Sequence, residues 1–240
     1  MRAIALLCAL FALGGAVAAV ATSGADAASR TPKKTAAKAV GADVVGQIQR
    51  LQRTTWHWQS VLGQKRTASS FSAARSTDAA YRVWVRNLWQ RRAVRLRRVA
   101  DRFMARRIGQ LQAEVDHWRH VMGQAPVRQT ASAASREQAY VTWRRIARSV
   151  LREAANPPYR QAWECIHRYE GSWTDAGGPY YGGLQMELGF QRHYGGYLLA
   201  TKGTADRWTP VEQMWVAARA YRSGRGFYPW PSTARVCGLI

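Results

Sequence analysis

The sequence predicts a mainly α protein in which a long-helix hairpin region precedes a smaller, mostly helical unit. Three observations carry this. First, apolar residues recur at a helical period through an arginine-rich stretch from Asp78 to Met122: Tyr81, Trp84, Leu88, Leu96, Phe103, Leu111, Val115 and Trp118. Second, the segment His57-Trp58-Gln59-Ser60-Val61-Leu62-Gly63-Gln64 recurs as His117-Trp118-Arg119-His120-Val121-Met122-Gly123-Gln124. Third, Pro157-Pro158 interrupts the helical pattern and the charge balance changes there.

Taken in order, Met1-Arg2, the apolar run Ala3–Val20 and the Ala25-Asp26-Ala27 site read as a secretory signal peptide over 1–27, cleaved near Ala27. A retained anchor is the competing reading. Residues 28–45, small, polar and basic, read as a flexible tether. Residues 46–156 then form two helix–loop–helix units that share the long central helix, because Ala80-Tyr81-x-x-Trp84 also recurs as Ala139-Tyr140-x-x-Trp143. Ser76 or Thr77 before Asp78, and Ser135 before Arg136, suit helix starts.

The whole chain carries a net charge of +22. Residues 28–156 hold 26 Lys plus Arg against 7 Asp plus Glu, a net of +19, whereas 157–240 hold 9 against 6, a net of +3. An acidic partner is therefore expected for the first part alone. In an exported protein, anionic envelope polymers or a membrane surface meeting residues 46–156 suit this better than a specific nucleic-acid partner. The bland alternative is a thin aromatic core with solvated arginines.

The unit 157–240 begins with a helix expected over Tyr159 to Glu170 and closed by Gly171. Trp163, Ile166 and Glu170 fall at i, i+3 and i+7 and so share a face. Desolvation and the helix C-terminus both favour the protonated form of such a carboxyl, as protonation of a glycosidic oxygen requires. Gly177-Gly178-Pro179 forces a reversal, and Gly182-Gly183 would let backbone approach a ligand closely. Trp173, Tyr180 and Tyr181 offer flat faces to sugars or to the core, and Gln185 offers donors and acceptors. Asp175 is a possible second carboxylate. Thr209-Pro210-Val211-Glu212 is a capping box opening a helix to about Ser223-Gly224, and the Pro-pinned tail beyond it reads as irregular.

Once the signal segment and Cys8 are removed, Cys165 and Cys237 remain, an even pair expected to form a disulfide in place of two free thiols. His167 and His193 lack a third ligand at a recognisable spacing, so neither metal nor cofactor is expected.

The order Trp163, Cys165, Glu170-Gly171-Ser172-Trp173, Tyr181-Gly182-Gly183-Leu184-Gln185, Trp230-Pro231 and Cys237 resembles the catalytic domain of the resuscitation-promoting factors. These are lysozyme-like proteins that cleave peptidoglycan, related to goose-type lysozymes and lytic transglycosylases. The resemblance covers residues 157–240. It implies a compact, mostly helical fold with a short irregular or β-like turn, Glu170 as catalytic acid, and Tyr181 through Gln185 in the glycan groove. It also implies a bridge between Cys165 and Cys237. One departure is that Tyr169 stands where the family commonly has its Cys, with Cys165 one turn earlier. The expected activity is cleavage of the β-1,4 MurNAc–GlcNAc backbone by a secreted, wall-associated muramidase or lytic transglycosylase. The competing classes are a non-catalytic wall-binding or scaffolding protein, and a basic helical protein that binds membranes or nucleic acid.

Overall fold

The computed structural model describes residues 33–127 and 135–240, with side chains from Asp43 onward. The signal segment and residues 28–32 lie outside the described residues. The elements are α1 (Lys33–Val61), α2 (Phe71–Ala74), α3 (Ala79–Met122), α4 (Arg136–Ala154), α5 (Arg160–Glu170), β1 (Tyr180–Tyr181), β2 (Met186–Glu187), α6 (Leu188–Lys202), α7 (Pro210–Ala220) and α8 (Pro231–Val236). The protein is mainly α. No described helix is long and apolar enough to cross a membrane.

The helix ends follow side-chain chemistry. Asp78 caps α3 by accepting from the N–H groups of Ala80 and Tyr81 at 2.9 and 3.2 Å, Ser135 caps α4 through Gln138, and Thr209 with Glu212 closes a full capping box on α7. The repeated octapeptide is a repeated helix stop. In each copy the glycine is left-handed (Gly63 φ 68°, Gly123 φ 71°), and the following glutamine N–H returns to a carbonyl five residues back, Gln64 to Gln59 and Gln124 to Arg119, both at 2.8 Å.

Three expectations are corrected. Residues 33–45, read as tether, belong to α1. The tail read as irregular contains α8, begun by Pro231 at its first turn. The two units are also not hairpins. After α1 the chain doubles back: Thr67 meets Trp56 and Gln59, and Ala74 packs with Ile48. α3 then runs in the same direction as α1, with Val85 beside Ile48 and Trp89 edge-on to Trp56. α4 likewise runs along α3, from Tyr140 against Phe103 to Glu153 against Gln124. His57 at the end of α1 meets Glu137 at the start of α4, 3.1 Å apart.

The buried face of α3 also differs from the expected one in its first half. Val85, Trp89, Ala93, Ala100 and Met104 are buried, whereas Tyr81 and Trp84 are exposed and stack on each other. Ala93 and Ala100 let helices approach closely, and the indole N–H of Trp89 donates to Ser70 at 2.9 Å. Two stripes one residue apart share nearly the same period, and the one containing alanines is the one that packs.

The C-terminal half of α3 and α4 shares a single core with residues 157–240. Leu111, Val115, Trp143 and Val150 cluster with Trp163, Ile166, Leu184, Met214 and Trp230. The expected boundary at Pro157 is thus not a break in packing: Trp215 donates to the Ala154 carbonyl at 2.8 Å and Arg222 to that of Met122 at 3.0 Å. A disulfide joins Cys165 to Cys237, 72 residues apart, which contributes about 4 kcal/mol in the chain-entropy model.

A polar cluster around Glu212 also links the parts. Glu212, 1% exposed, accepts from Lys202 at 2.6 and 2.8 Å, from the Thr209 N–H at 2.7 Å, and pairs with His117 of α3 at 2.9 Å. Burial pushes its carboxyl up, but Lys202 and Thr209 together outweigh that and hold it below the ordinary carboxylate range. Its stabilisation is therefore fully present above that range and is lost as the pH falls through the lowered value. Glu212→Ala is expected to cost about 3 kcal/mol at neutral pH, the low end for a broken buried pair because Lys202 retains some access to water. Urea titrations should show the gap from wild type closing in acid; a gap constant with pH would contradict this.

Candidate functional site

Helix α5 carries the predicted acid. Its N-cap residue Tyr159 is left-handed (φ 58°), and Gly171 (φ 142°) ends it by donating back to the His167 carbonyl at 3.2 Å. Trp163 and Ile166 are fully buried, and Glu170 is half-buried at the end of the same stripe, at the rim of the core and not inside it. Its Oε1 accepts a hydrogen bond from Thr233 Oγ1 at 2.7 Å. Thr233 lies on α8, which the disulfide ties to α5, so one covalent link sets the helix that presents this hydroxyl. Sequence reasoning missed Thr233; nothing local to it signals a contact across 63 residues.

Beyond Glu170 the chain forms a small hairpin, with Tyr180 paired to Glu187 and Tyr181 to Met186. Asp175 braces it. One carboxylate oxygen accepts from the Gly177 N–H at 3.0 Å and the other from Gln185 Nε2 at 2.8 Å, while its carbonyl accepts from the Gly182 N–H at 2.8 Å. Asp175 is thus occupied in holding the turn. Gln185, itself left-handed at φ 45°, has its Nε2 held by Asp175 and by the Gly182 carbonyl at 3.1 Å. The amide is fixed in place before any ligand arrives.

The glycine pair faces inward, which corrects the expectation that it serves a ligand's approach. A Cβ on Gly182 (φ 72°) would stand 2.5 Å from Oε1 of buried Gln213, and one on Gly183 would stand 2.6 Å from both His167 Nδ1 and Trp173 Cε3. Gln213, another residue the sequence did not single out, donates through Nε2 to the carbonyls of Trp173, Ala205 and Trp208 at 2.8, 2.8 and 3.1 Å. Trp173 stacks on His167 with ring centres 4.0 Å apart, so one of its faces is taken by protein. Tyr181 is half-buried against the core.

Of Trp173, Tyr180 and Tyr181, Tyr180 is the exposed one. With Gln185, Glu187, Phe190, Arg225 and Trp230 it lines a cleft of about 190 Å³. Glu170 is not among the lining residues; it joins this region through Thr233, one turn after Trp230, whose indole N–H donates to the Leu184 carbonyl at 2.6 Å. The structure therefore brings Tyr180 and Gln185 to one cleft, sets Asp175, Gly182 and Gly183 behind it as support, and adds Phe190 and Arg225. Among the described residues, no group of three or more His, Cys, Asp or Glu side chains is placed to hold a metal ion. No protein-family model, curated protein or solved structure matches the chain.

Proposed function

We propose that this chain is an exported, wall-associated enzyme of the lysozyme-like type that cleaves the β-1,4 MurNAc–GlcNAc backbone of peptidoglycan, with Glu170 as its general acid and base. The observation that carries the reading is a half-buried carboxylate at the end of α5, oriented by Thr233, beside a hairpin that presents Tyr180 and a fixed Gln185 to a cleft. In the reaction, the Glu170 carboxylic acid gives its proton to the glycosidic oxygen as the C1–O bond breaks. The resulting carboxylate then takes the proton of the muramyl 6-hydroxyl as that oxygen bonds to C1, giving a 1,6-anhydro product and restoring the acid. The engagement of both Asp175 oxygens within the turn favours this one-carboxylate route over hydrolysis by a second carboxylate and an activated water.

Mass spectrometry of purified peptidoglycan treated with the protein tests the reading. Anhydro-muropeptides are the expected products. Reducing-end muropeptides alone would replace transglycosylation with hydrolysis, and an undigested polymer would leave the non-catalytic wall-binding reading in its place.

A further inference from the structure

Arg91, Arg95, Arg98 and Arg102 lie on one strip of α3, within about 60° of one another at 3.6 residues per turn. The strip is on the side of the helix opposite buried Val85, Trp89, Ala93, Ala100 and Met104. Together with Asn87, Gln90, Val94 and Val99, the four arginines line a furrow of about 690 Å³. All four are exposed, and none pairs with an acid among the described residues. Neighbouring arginines are engaged differently: Arg92 lies over Trp89, and Arg107 donates to Gln110. The four positions climb the helix in steps of about 4.5 to 6 Å, roughly 16 Å in all.

We propose that this furrow binds a linear polyol-phosphate chain, each guanidinium taking one phosphodiester of the polymer. An arginine fork meets two phosphate oxygens at once, and an evenly stepped row suits a chain that repeats its charge at short intervals. A binder of single-stranded nucleic acid interleaves aromatic platforms for the bases. Here the apolar residues between Asn87 and Arg102 that line the furrow are Val94 and Val99, and the nearest aromatics on the strip, Tyr81 and Trp84, stack on each other. A membrane-surface helix needs a broad apolar face for insertion, and two valines do not supply one. The choice of an envelope polymer rests on the proposed export of the chain, but the binding itself does not depend on glycan cleavage.

The test measures binding of the full chain to labelled poly(glycerol phosphate) over a range of salt concentrations. The quadruple variant Arg91→Gln, Arg95→Gln, Arg98→Gln, Arg102→Gln should bind at least tenfold more weakly. Its log–log salt slope should flatten by about 3, since each phosphate no longer neutralised removes roughly 0.7. A charge-matched variant on α4, with Arg136, Arg145, Arg148 and Arg152 each changed to Gln, should lose less than threefold. Circular dichroism establishes that both variants keep their helices; if the first does not, changing the same four arginines to Lys preserves charge and should still weaken binding several-fold. Equal losses in the furrow and α4 variants, or a lysine variant that binds like wild type, would overturn the furrow. No binding by wild type, or tighter binding to oligothymidylate or to phosphatidylglycerol vesicles, would overturn the polymer. Because the assay contains no glycan, its failure leaves the peptidoglycan reading standing, and the reverse also holds.

Discussion

Glu170→Gln should lower peptidoglycan turnover by about a thousandfold while leaving the melting temperature within about 2 °C of wild type. The two halves of this expectation have one cause. Glutamine has nearly the shape of glutamate, and its amide oxygen can still accept the Thr233 hydroxyl that Glu170 Oε1 accepts at 2.7 Å. Because Glu170 lies at the rim of the core, the swap does not strand a charge or open a cavity. What the amide lacks is a proton to give to the leaving oxygen and a carboxylate to take one back. In the one-carboxylate route no other group replaces it, since Asp175 is held by Gly177 and Gln185. Release of soluble muropeptides, with thermal unfolding followed alongside, provides both readouts. Equal turnover by the two proteins would remove Glu170 from the chemistry, and a large fall in melting temperature would make it a structural residue.

What the sequence made legible was punctuation. Ser135 and Thr209 cap helices because a side-chain oxygen beside free N–H groups is a local matter, readable within four residues, whereas at α3 the cap is Asp78 and not the expected Ser76 or Thr77. The repeated octapeptide was legible as a repeat, and the structure adds that its Gly-Gln pair ends a helix in both copies. The bridge between Cys165 and Cys237 was legible by counting. The path between helices was not. That α1 and α3 run in the same direction depends on the loop meeting Trp56, Gln59 and Ile48, contacts with no mark in local pattern. The face of α3 that packs was misjudged because Ala93 and Ala100 contribute by being small and do not read as a hydrophobic stripe. At the site, Glu170 and the hairpin carrying Gln185 stand out by composition, but Thr233, Gln213 and Arg225 reach their places only through tertiary packing. Glycine is ambiguous in a further way: a Gly-Gly pair shows that something approaches the backbone closely without showing from which side.

That ambiguity yields the second large effect. Gly182→Ala should destabilise the protein by about 3 to 5 kcal/mol, and lower its melting temperature by roughly 10 °C, through two additive strains. Its φ of 72° is a conformation that an alanine holds only at a cost of about 1 to 3 kcal/mol. The added Cβ would also stand 2.5 Å from Gln213 Oε1 and 2.9 Å from Cδ. Gln213 cannot turn aside cheaply, because its Nε2 holds the carbonyls of Trp173, Ala205 and Trp208 and the side chain is fully buried. Gly183→Ala lacks the dihedral strain but presses on the stacked His167 and Trp173 rings at 2.6 Å, so it should cost less, about 1 to 3 kcal/mol. If the glycines served only to admit a ligand, Gly183→Ala would keep its melting temperature, Gly182→Ala would lose only the dihedral part, and both would raise KM. A double-mutant cycle isolates the contact. Gln213→Ala alone loses both N–H donors that the three carbonyls share, but combined with Gly182→Ala it removes the clash, so the pair should be less destabilising than the sum of the singles by more than about 1 kcal/mol. Additive losses would mean that the dihedral strain, and not the packing against Gln213, requires a glycine at 182.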